Sequence, residues 1–593
     1  MTCDLQSFRH VAALAALSLV LGACQQPADR APAMRLETDV AVPMRDGTVL
    51  RADLYLPAGD GPFPVLVYRT PYGKHNAAES YATHRHAVER GYAVVLQDVR
   101  GRYASDGLFD PYRQEGKDGY DTIEWAARQR WSNGDVGTFG LSYPGAVQWL
   151  AALEKPPSLR AMAPAMTFSS PRNFFYMNGV FDLSWLPWIY TNIAPDARKR
   201  LGLPGITSDA EAETEWGQVA TDYLAFQPLA ELPWLREEAP YYFAWLAHPP
   251  EDSWWDWAEI RGRYADVDAA VLNLSGWYDE AYGPEGAITN FSGLQAARGQ
   301  QARTQLILGP WVHGVLSTGR HVVGDIDFGP AAAIDYDEVV LRFFDQYLRG
   351  IDTGLQAEAP VRYFLMGANE WRTAAAWPPA DASRRDLCLA PGTLTPCAAS
   401  SPASASDFDA DPQAPVRDPY AGFGPHDYSM LEERDDVLTF DSAVLDEDLV
   451  VAGNAVARIF ASCDCRDFDL WVRIQDVYPD GRAINMRSPG AEVLRASYRD
   501  PDSGRQLLTP AEVYELRLDQ LMFANTFRQG HRVRVQISAS FAPHLSRNPQ
   551  TGESEVFSAE TRPARIAIHQ GGDAASSIVL PVLAAPPPGP SPE

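Results

Sequence analysis

Val136-Gly137-Thr138-Phe139-Gly140-Leu141-Ser142-Tyr143-Pro144-Gly145, continued by Ala146 to Leu153, carries an apolar segment through a tight turn into a helix-forming stretch. The flanking glycines let the backbone tighten, so the Ser142 hydroxyl stands out at a strand-to-helix junction. A serine hydroxyl is a poor nucleophile at neutral pH and needs a base, an orienting acid and donors for an oxyanion. The second glycine comes one place later than in the common G-x-S-x-G pattern, so the surrounding chain must decide the reading.

Upstream, Glu37 to Val42, Val49 to Tyr55 and Val65 to Arg69 read as strands, and a helical stretch of about Ala77 to Arg90 ends at Gly91. The continuous apolar run Ala93 to Leu96 and a second helical stretch at 120–129 then complete the alternation expected of a parallel sheet covered by helices. Downstream, from about 168 to 263, the periodicity turns helical and irregular. Aromatics that look exposed (Trp185, Trp188, Trp245, Trp254, Trp255, Trp257) mark this stretch as an inserted cap. The sheet pattern resumes at Ala270 to Leu274 and Gln305 to Leu308, each followed by a loop at the carboxyl end, where open α/β sheets place their functional residues. Asp279 closes the first of these loops and His313 the second. Serine, then aspartate, then histidine is the α/β-hydrolase order. The expectation is therefore a triad in which His313 takes the Ser142 proton and Asp279 fixes the imidazole.

Asp98 also follows a buried strand, but it precedes Ser142 and reads as a structural carboxylate ordering the Arg100 to Arg102 loop. His75, His84 and His86 do not converge as metal ligands and read as a solvated helix face. No phosphate loop, dinucleotide fingerprint or metal spacing occurs, so catalysis without cofactor or metal is expected. The formal charge of −27 and the lack of a Lys/Arg-rich run argue against a nucleic-acid partner.

Beyond Gly350 short alternating strands such as Ala455 to Phe460, Phe468 to Ile474 and His531 to Ile537 point to an antiparallel β-sandwich. The expected plan is a leader over 1–23, a tether over 24–36 and an α/β domain over 37–350 containing the cap. A β-sandwich over 351–584 and a loose Pro/Gly tail over 585–593 follow. The leader has Arg9 and His10 before the apolar run Val11 to Leu21, and Leu21-Gly22-Ala23-Cys24 resembles a lipobox. Lipid on Cys24 would anchor an exported chain at the outer membrane or periplasmic face of a bacterium. In that oxidising setting Cys388 and Cys397 form the expected loop-closing pair. A direct bond between Cys463 and Cys465, two apart on a strand, would be strained. A homo-oligomer is compatible with this composition.

Three motifs, GLSYPG around Ser142, GWYDE around Asp279 and GPWVHG around His313, resemble those of the CocE/NonD hydrolases and the S15 X-Pro dipeptidyl peptidases. The likeness extends through RTPYGK at Arg69 to Lys74, DVRGRYASDG at Asp98 to Gly107 and RFFDQYLRG at Arg342 to Gly350. It implies an α/β-hydrolase core, a helical cap and a C-terminal jelly-roll β-sandwich, with the site between them. It also implies that the Tyr72 hydroxyl donates to the oxyanion, with the Tyr143 backbone N–H as second donor. Esters, amides or short peptides are the implied substrates. Three versions stand open: α-amino-acid ester or β-lactam acyl transfer, X-Pro dipeptide release, and hydrolysis of bulky aromatic esters. Glu251 and Asp252 are candidate acids for an α-ammonium, and Trp185, Trp188 and Trp254 are candidate walls for an aryl acyl group. The rival from another class is a surface lipoprotein binding carbohydrate or a partner through the β-sandwich.

Overall fold

The computed structural model describes residues 34–584 except 281, 282, 399, 400, 491 and 502. The leader, Cys24, most of the tether and the 585–593 tail lie outside the described residues. Ten strands of the N-terminal part form one sheet. They are β1 (Arg35–Pro43), β2 (Val49–Leu56), β3 (Phe63–Thr70), β4 (Ala93–Asp98), β5 (Ser132–Leu141), β6 (Leu159–Ala165), β7 (Ala270–Tyr278), β8 (Thr304–Val312), β9 (Val361–Leu365) and β10 (Glu370–Ala374). Their spatial order is β1-β2-β4-β3-β5-β6-β7-β8-β9-β10. Pairing is parallel from β4 through β9 and antiparallel at both edges. Every residue of β4 and β7 is buried, as central parallel strands covered on both faces require.

Helices α1 (Lys74–Ser80), α2 (Thr83–Glu89), α3 (Glu115–Ala127), α4 (Tyr143–Leu153), α5 (Glu285–Arg298) and α6 (Tyr336–Leu348) cover the sheet. The single helix expected from Ala77 to Arg90 is two helices, because Tyr81 adopts an extended conformation between them. The histidines there are not one solvated face. His84 is 3% exposed, its ring 4.5 Å from that of Tyr55, and burial lowers its pKa to about 4. His86 instead bonds Asp337 at 2.7 Å. The sheet does not stop at Gly350: β9 and β10 extend it before the second domain begins.

The insertion between β6 and β7 is built of short helices and turns around the helix Asp209–Ala225, with a small hairpin at Tyr176–Met177 and Val180–Phe181. The six tryptophans expected to be exposed are not. Trp185, Trp245 and Trp255 are buried, with Phe175 4.7, 4.6 and 4.8 Å from their respective ring centroids. Aromatics that follow no helical period still bury large areas by packing on one another. The cap thus has its own core, continuous with that of the α/β domain.

The C-terminal strands form a separate twelve-stranded sheet folded over an apolar core, the β-sandwich expected. Its spine is the antiparallel pair Leu449–Cys463 and Tyr514–Phe527. Cys388 and Cys397 are bonded. Cys463 and Cys465 are bonded as well, against expectation: the strand ends at Cys463 and the chain bends, bringing the two Cα atoms to 5.2 Å. They flank Asp464 in the group of metal-capable side chains found among the described residues, and their sulfurs are taken by each other.

Candidate active site

The three candidate catalytic residues each follow the carboxyl end of a parallel strand: Ser142 after β5, Asp279 after β7 and His313 after β8. Ser142 sits at φ 68°, ψ −127°, a left-handed conformation costing about 1–3 kcal/mol and held only by its surroundings. Its N–H donates to the Ala165 carbonyl at 3.0 Å, and its carbonyl accepts from Gly145 and Ala146. A Cβ at Gly140 would come within 2.5 Å of Pro144, and one at Gly145 within 2.6 Å of the Ala165 carbonyl. The displaced second glycine therefore serves the contact between α4 and β6. As the first residue of α4, Tyr143 has an amide N–H with no carbonyl of a preceding turn to accept it. Its side chain is an anchor turned to the core, where the hydroxyl donates to Glu115 at 2.8 Å and Glu115 pairs with Arg69.

His313 Nδ1 lies 2.6 Å from Asp279 Oδ1. Asp279 is 1% exposed and accepts further bonds from the Ser275 hydroxyl at 2.9 Å and the Glu280 N–H at 3.0 Å. The residue before it is clamped by the β-sandwich: the Tyr278 hydroxyl donates to the Asn485 carbonyl, and the Ser488 hydroxyl donates to the Tyr278 carbonyl. Burial alone would lower the His313 pKa, but the Asp279 and Glu280 carboxylates outweigh it and raise it to about 9.

Tyr72 reaches Ser142 from the loop after β3: its hydroxyl hydrogen-bonds the serine, and the Trp188 indole N–H donates to that same hydroxyl at 3.0 Å. Burial raises the Tyr72 pKa to about 12, so the phenol keeps its proton well above neutral pH. Asp98 takes no part in the triad. Its carboxylate accepts the Lys74 N–H at 2.6 Å and the Ala104 N–H, tying the Tyr72 loop to the Arg100–Arg102 loop.

Ser142, His313 and Tyr72 line one cavity of about 530 Å³, with Trp185 and Trp188 in its wall. Glu251, Asp252 and Trp254 do not line it, which corrects their expected role. Glu251 bonds Tyr498 of the β-sandwich and packs against Gly504. Asp252 caps the turn Ser253–Ala258 through the Trp254 N–H and holds His248 at 2.7 Å. Trp254 stacks on His248 and lies under the Arg113 guanidinium. The acid that does line the cavity is Glu280.

Comparison with known proteins finds relatives of both domains. Residues 46–315 match the model of the X-Pro dipeptidyl-peptidase (S15 family), and residues 353–579 match the X-Pro dipeptidyl-peptidase C-terminal non-catalytic domain. The cocaine esterase of Rhodococcus sp. (strain MB1 Bresler) is 34% identical across 92% of this chain and 98% of its own. The chain belongs to the CocE/NonD family of serine hydrolases. An α-amino acid ester hydrolase has the same fold, with a TM-score of 0.77 and 24% identity over 95% of this chain and 99% of its own. So does an aminopeptidase from the marine sediment archaeon Thaumarchaeota archaeon, with a TM-score of 0.78 and 23% identity over 96% and 99%.

Two residues of this CocE/NonD hydrolase escaped sequence reasoning. Glu280 was in view within GWYDE, but nothing in its spacing distinguishes a cavity acid from a loop acid. Arg102, 1% exposed, donates to the Pro71 carbonyl at 2.8 Å and to the cap carbonyls of Ile193 and Asn192 at 2.8 and 2.9 Å. It fastens the residue before Tyr72 to the insertion that carries Trp188.

Proposed function

We propose that this serine hydrolase cleaves an ester or amide through an acyl-enzyme on Ser142. The observation that carries the reading is the 2.6 Å pair of His313 and Asp279 opening on the cavity that holds Ser142 and the Tyr72 hydroxyl. His313 takes the Ser142 proton as Oγ bonds the carbonyl carbon, and Asp279 stabilises the imidazolium. The Tyr72 hydroxyl and the Tyr143 N–H stabilise the oxyanion. His313 then gives the proton to the leaving oxygen or nitrogen, and water attacks the acyl-enzyme by the same route in reverse.

The acyl chamber is aromatic, walled by Tyr112, Phe174, Trp185 and Trp188, and carries Glu280, whose pKa burial raises. Asp182 accepts the Ser184 N–H behind the same wall and is raised by burial to about 7. A desolvated acid in an aromatic chamber supports a hydrophobic or aryl acyl group bearing an α-ammonium. The test is kcat/KM on an aryl α-amino-acid methyl ester against the same ester without the amine. A preference of about tenfold or more for the amine, about 1.4 kcal/mol, lost in Glu280→Gln, is the expected result. A ratio near one reduces the activity to a general acyl esterase. The match to the X-Pro dipeptidyl-peptidase model supports a second reading, dipeptide release, which an X-Pro arylamide added as third substrate separates.

Export and tethering through lipid on Cys24 rest on the Leu21–Cys24 stretch. Labelling of the cells with a palmitate analogue, lost in Cys24→Ala, is the expected outcome.

A further inference from the structure

A second cavity, of about 460 Å³, adjoins the acyl chamber at the catalytic histidine. It shares Tyr81, His313, Gly314 and Phe423 with the acyl chamber, but neither Ser142 nor Tyr72 lines it. The segment after His313 builds it: Val315, the exposed Leu316, Arg320 and the exposed Val322. Among the described residues the Arg320 side chain has no ion-pair or hydrogen-bonding partner. The acids nearest in sequence are engaged elsewhere, Asp327 with His321 at 2.8 Å and Asp325 with His426 at 3.3 Å. In a chain with a net charge of −27, a guanidinium left free beside a catalytic cavity stands apart.

The chemistry fixes which part of a substrate enters here. When the acyl C–X bond breaks, X must take the proton from the His313 nitrogen that Asp279 does not occupy, so the body attached to X lies on the histidine side of the site. Leu316 and Val322 offer that body an apolar wall, and a planar guanidinium matches a carboxylate with two parallel hydrogen bonds.

We infer that this cavity is the leaving-group subsite, and that Arg320 selects esters or amides whose leaving portion is apolar and ends in a carboxylate. The inference rests on the triad proposed above. Together with Glu280 on the acyl side it gives the site opposite polarities at its two ends, suited to a substrate with an ammonium at one end and a carboxylate at the other.

The test uses two aryl esters of one acyl group, with leaving phenols 4-hydroxyphenylacetate and its methyl ester. The methylene keeps the phenol acidities matched while the charge changes. The full-length enzyme is expected to favour the carboxylate ester in kcat/KM by about tenfold. Arg320→Gln is expected to bring the ratio to about one, and Arg320→Lys to keep part of it. The ratio is also expected to shrink at high salt, because the pair is exposed. Equal kcat/KM for both esters in the unsubstituted enzyme, or a ratio unmoved in Arg320→Gln, overturns the subsite and leaves the triad standing. Failure to cleave either ester, with no fluorophosphonate label on Ser142, overturns the triad and the subsite together.

Discussion

The indole N–H of Trp188 donates to the Tyr72 hydroxyl at 3.0 Å, so a cap residue aims a hydroxyl that belongs to the sheet domain. The indole occupies one lone pair of the phenol oxygen, and the same hydroxyl hydrogen-bonds Ser142. The proposed oxyanion donor is thus held by two parts of the chain that meet only in the folded protein.

Tyr72→Phe is therefore expected to lower kcat by about 10²–10³, the usual cost of one oxyanion donor, with KM little changed. Trp188→Phe keeps an aromatic wall but frees the phenol to rotate, and is expected to cost kcat about tenfold. Steady-state kinetics on one aryl ester measures both. A Trp188→Phe effect confined to KM would show that the indole contributes surface and does not orient Tyr72.

The pH profile tests the electrostatics of the base. Asp279 and Glu280 raise His313 to about 9, above the ordinary value of about 6.5. The imidazole must be neutral to take the Ser142 proton, so activity is lost as pH falls through the raised pKa. The acid limb of kcat/KM is accordingly expected above the ordinary histidine range. Glu280→Gln removes one of the two raising charges and should move the limb to lower pH. A limb at about 6.5 in both proteins would show that Glu280 does not act on His313.

The contrast between Ser142 and Glu251 shows where sequence reading succeeds. Ser142, Asp279 and His313 are each adjacent in sequence to a buried strand, so strand periodicity alone carries them to the carboxyl end of one sheet. Glu251 and Asp252 lie in an insertion whose turns follow no period, and their direction depends on how the cap packs: Glu251 ends on Tyr498, far along the chain. The cap tryptophans failed for the same reason, since residues without a helical repeat bury against partners that no local pattern names. The Cys463–Cys465 bond ran against expectation because both residues were placed on one strand, whereas the strand ends at Cys463. Arg102 lay in a motif that the sequence did mark, but its three carbonyl acceptors come from two segments far apart in the chain, the loop after β3 and the helical turn Ile189–Ile193.

Arg102 should matter for stability and activity together. Arg102→Met would leave the Pro71, Asn192 and Ile193 carbonyls without their donor and Asp196 without a cation 3.5 Å away. Loss of a buried charged partner costs about 3–5 kcal/mol. Denaturant unfolding is expected to show a loss of that size. The loosened Tyr72 loop should lower kcat in protein that remains folded. Unchanged stability would mean that water replaces the guanidinium at all three carbonyls.

Two glycine substitutions separate close packing from backbone entropy. Gly217 lies on the exposed face of the helix Asp209–Ala225, where a Cβ meets nothing within 4 Å. Gly217→Ala should stabilise the protein by about 0.5–1 kcal/mol, the usual helix-interior difference. Gly145 is also helical, but there the Cβ lies 2.6 Å from the Ala165 carbonyl oxygen and 3.2 Å from the Thr167 Cβ. That carbonyl is the acceptor that holds the Ser142 N–H. Gly145→Ala must therefore push α4 off β6 or tilt the acceptor, and either movement relaxes the strained serine. The expected result is a loss of stability of about 1–3 kcal/mol, as for overpacking, with kcat falling more than stability predicts. Thermal unfolding and fluorophosphonate labelling rates measured on the same preparations check both effects. An alanine at 145 with normal labelling would show that the turn around Ser142 does not depend on close contact with β6.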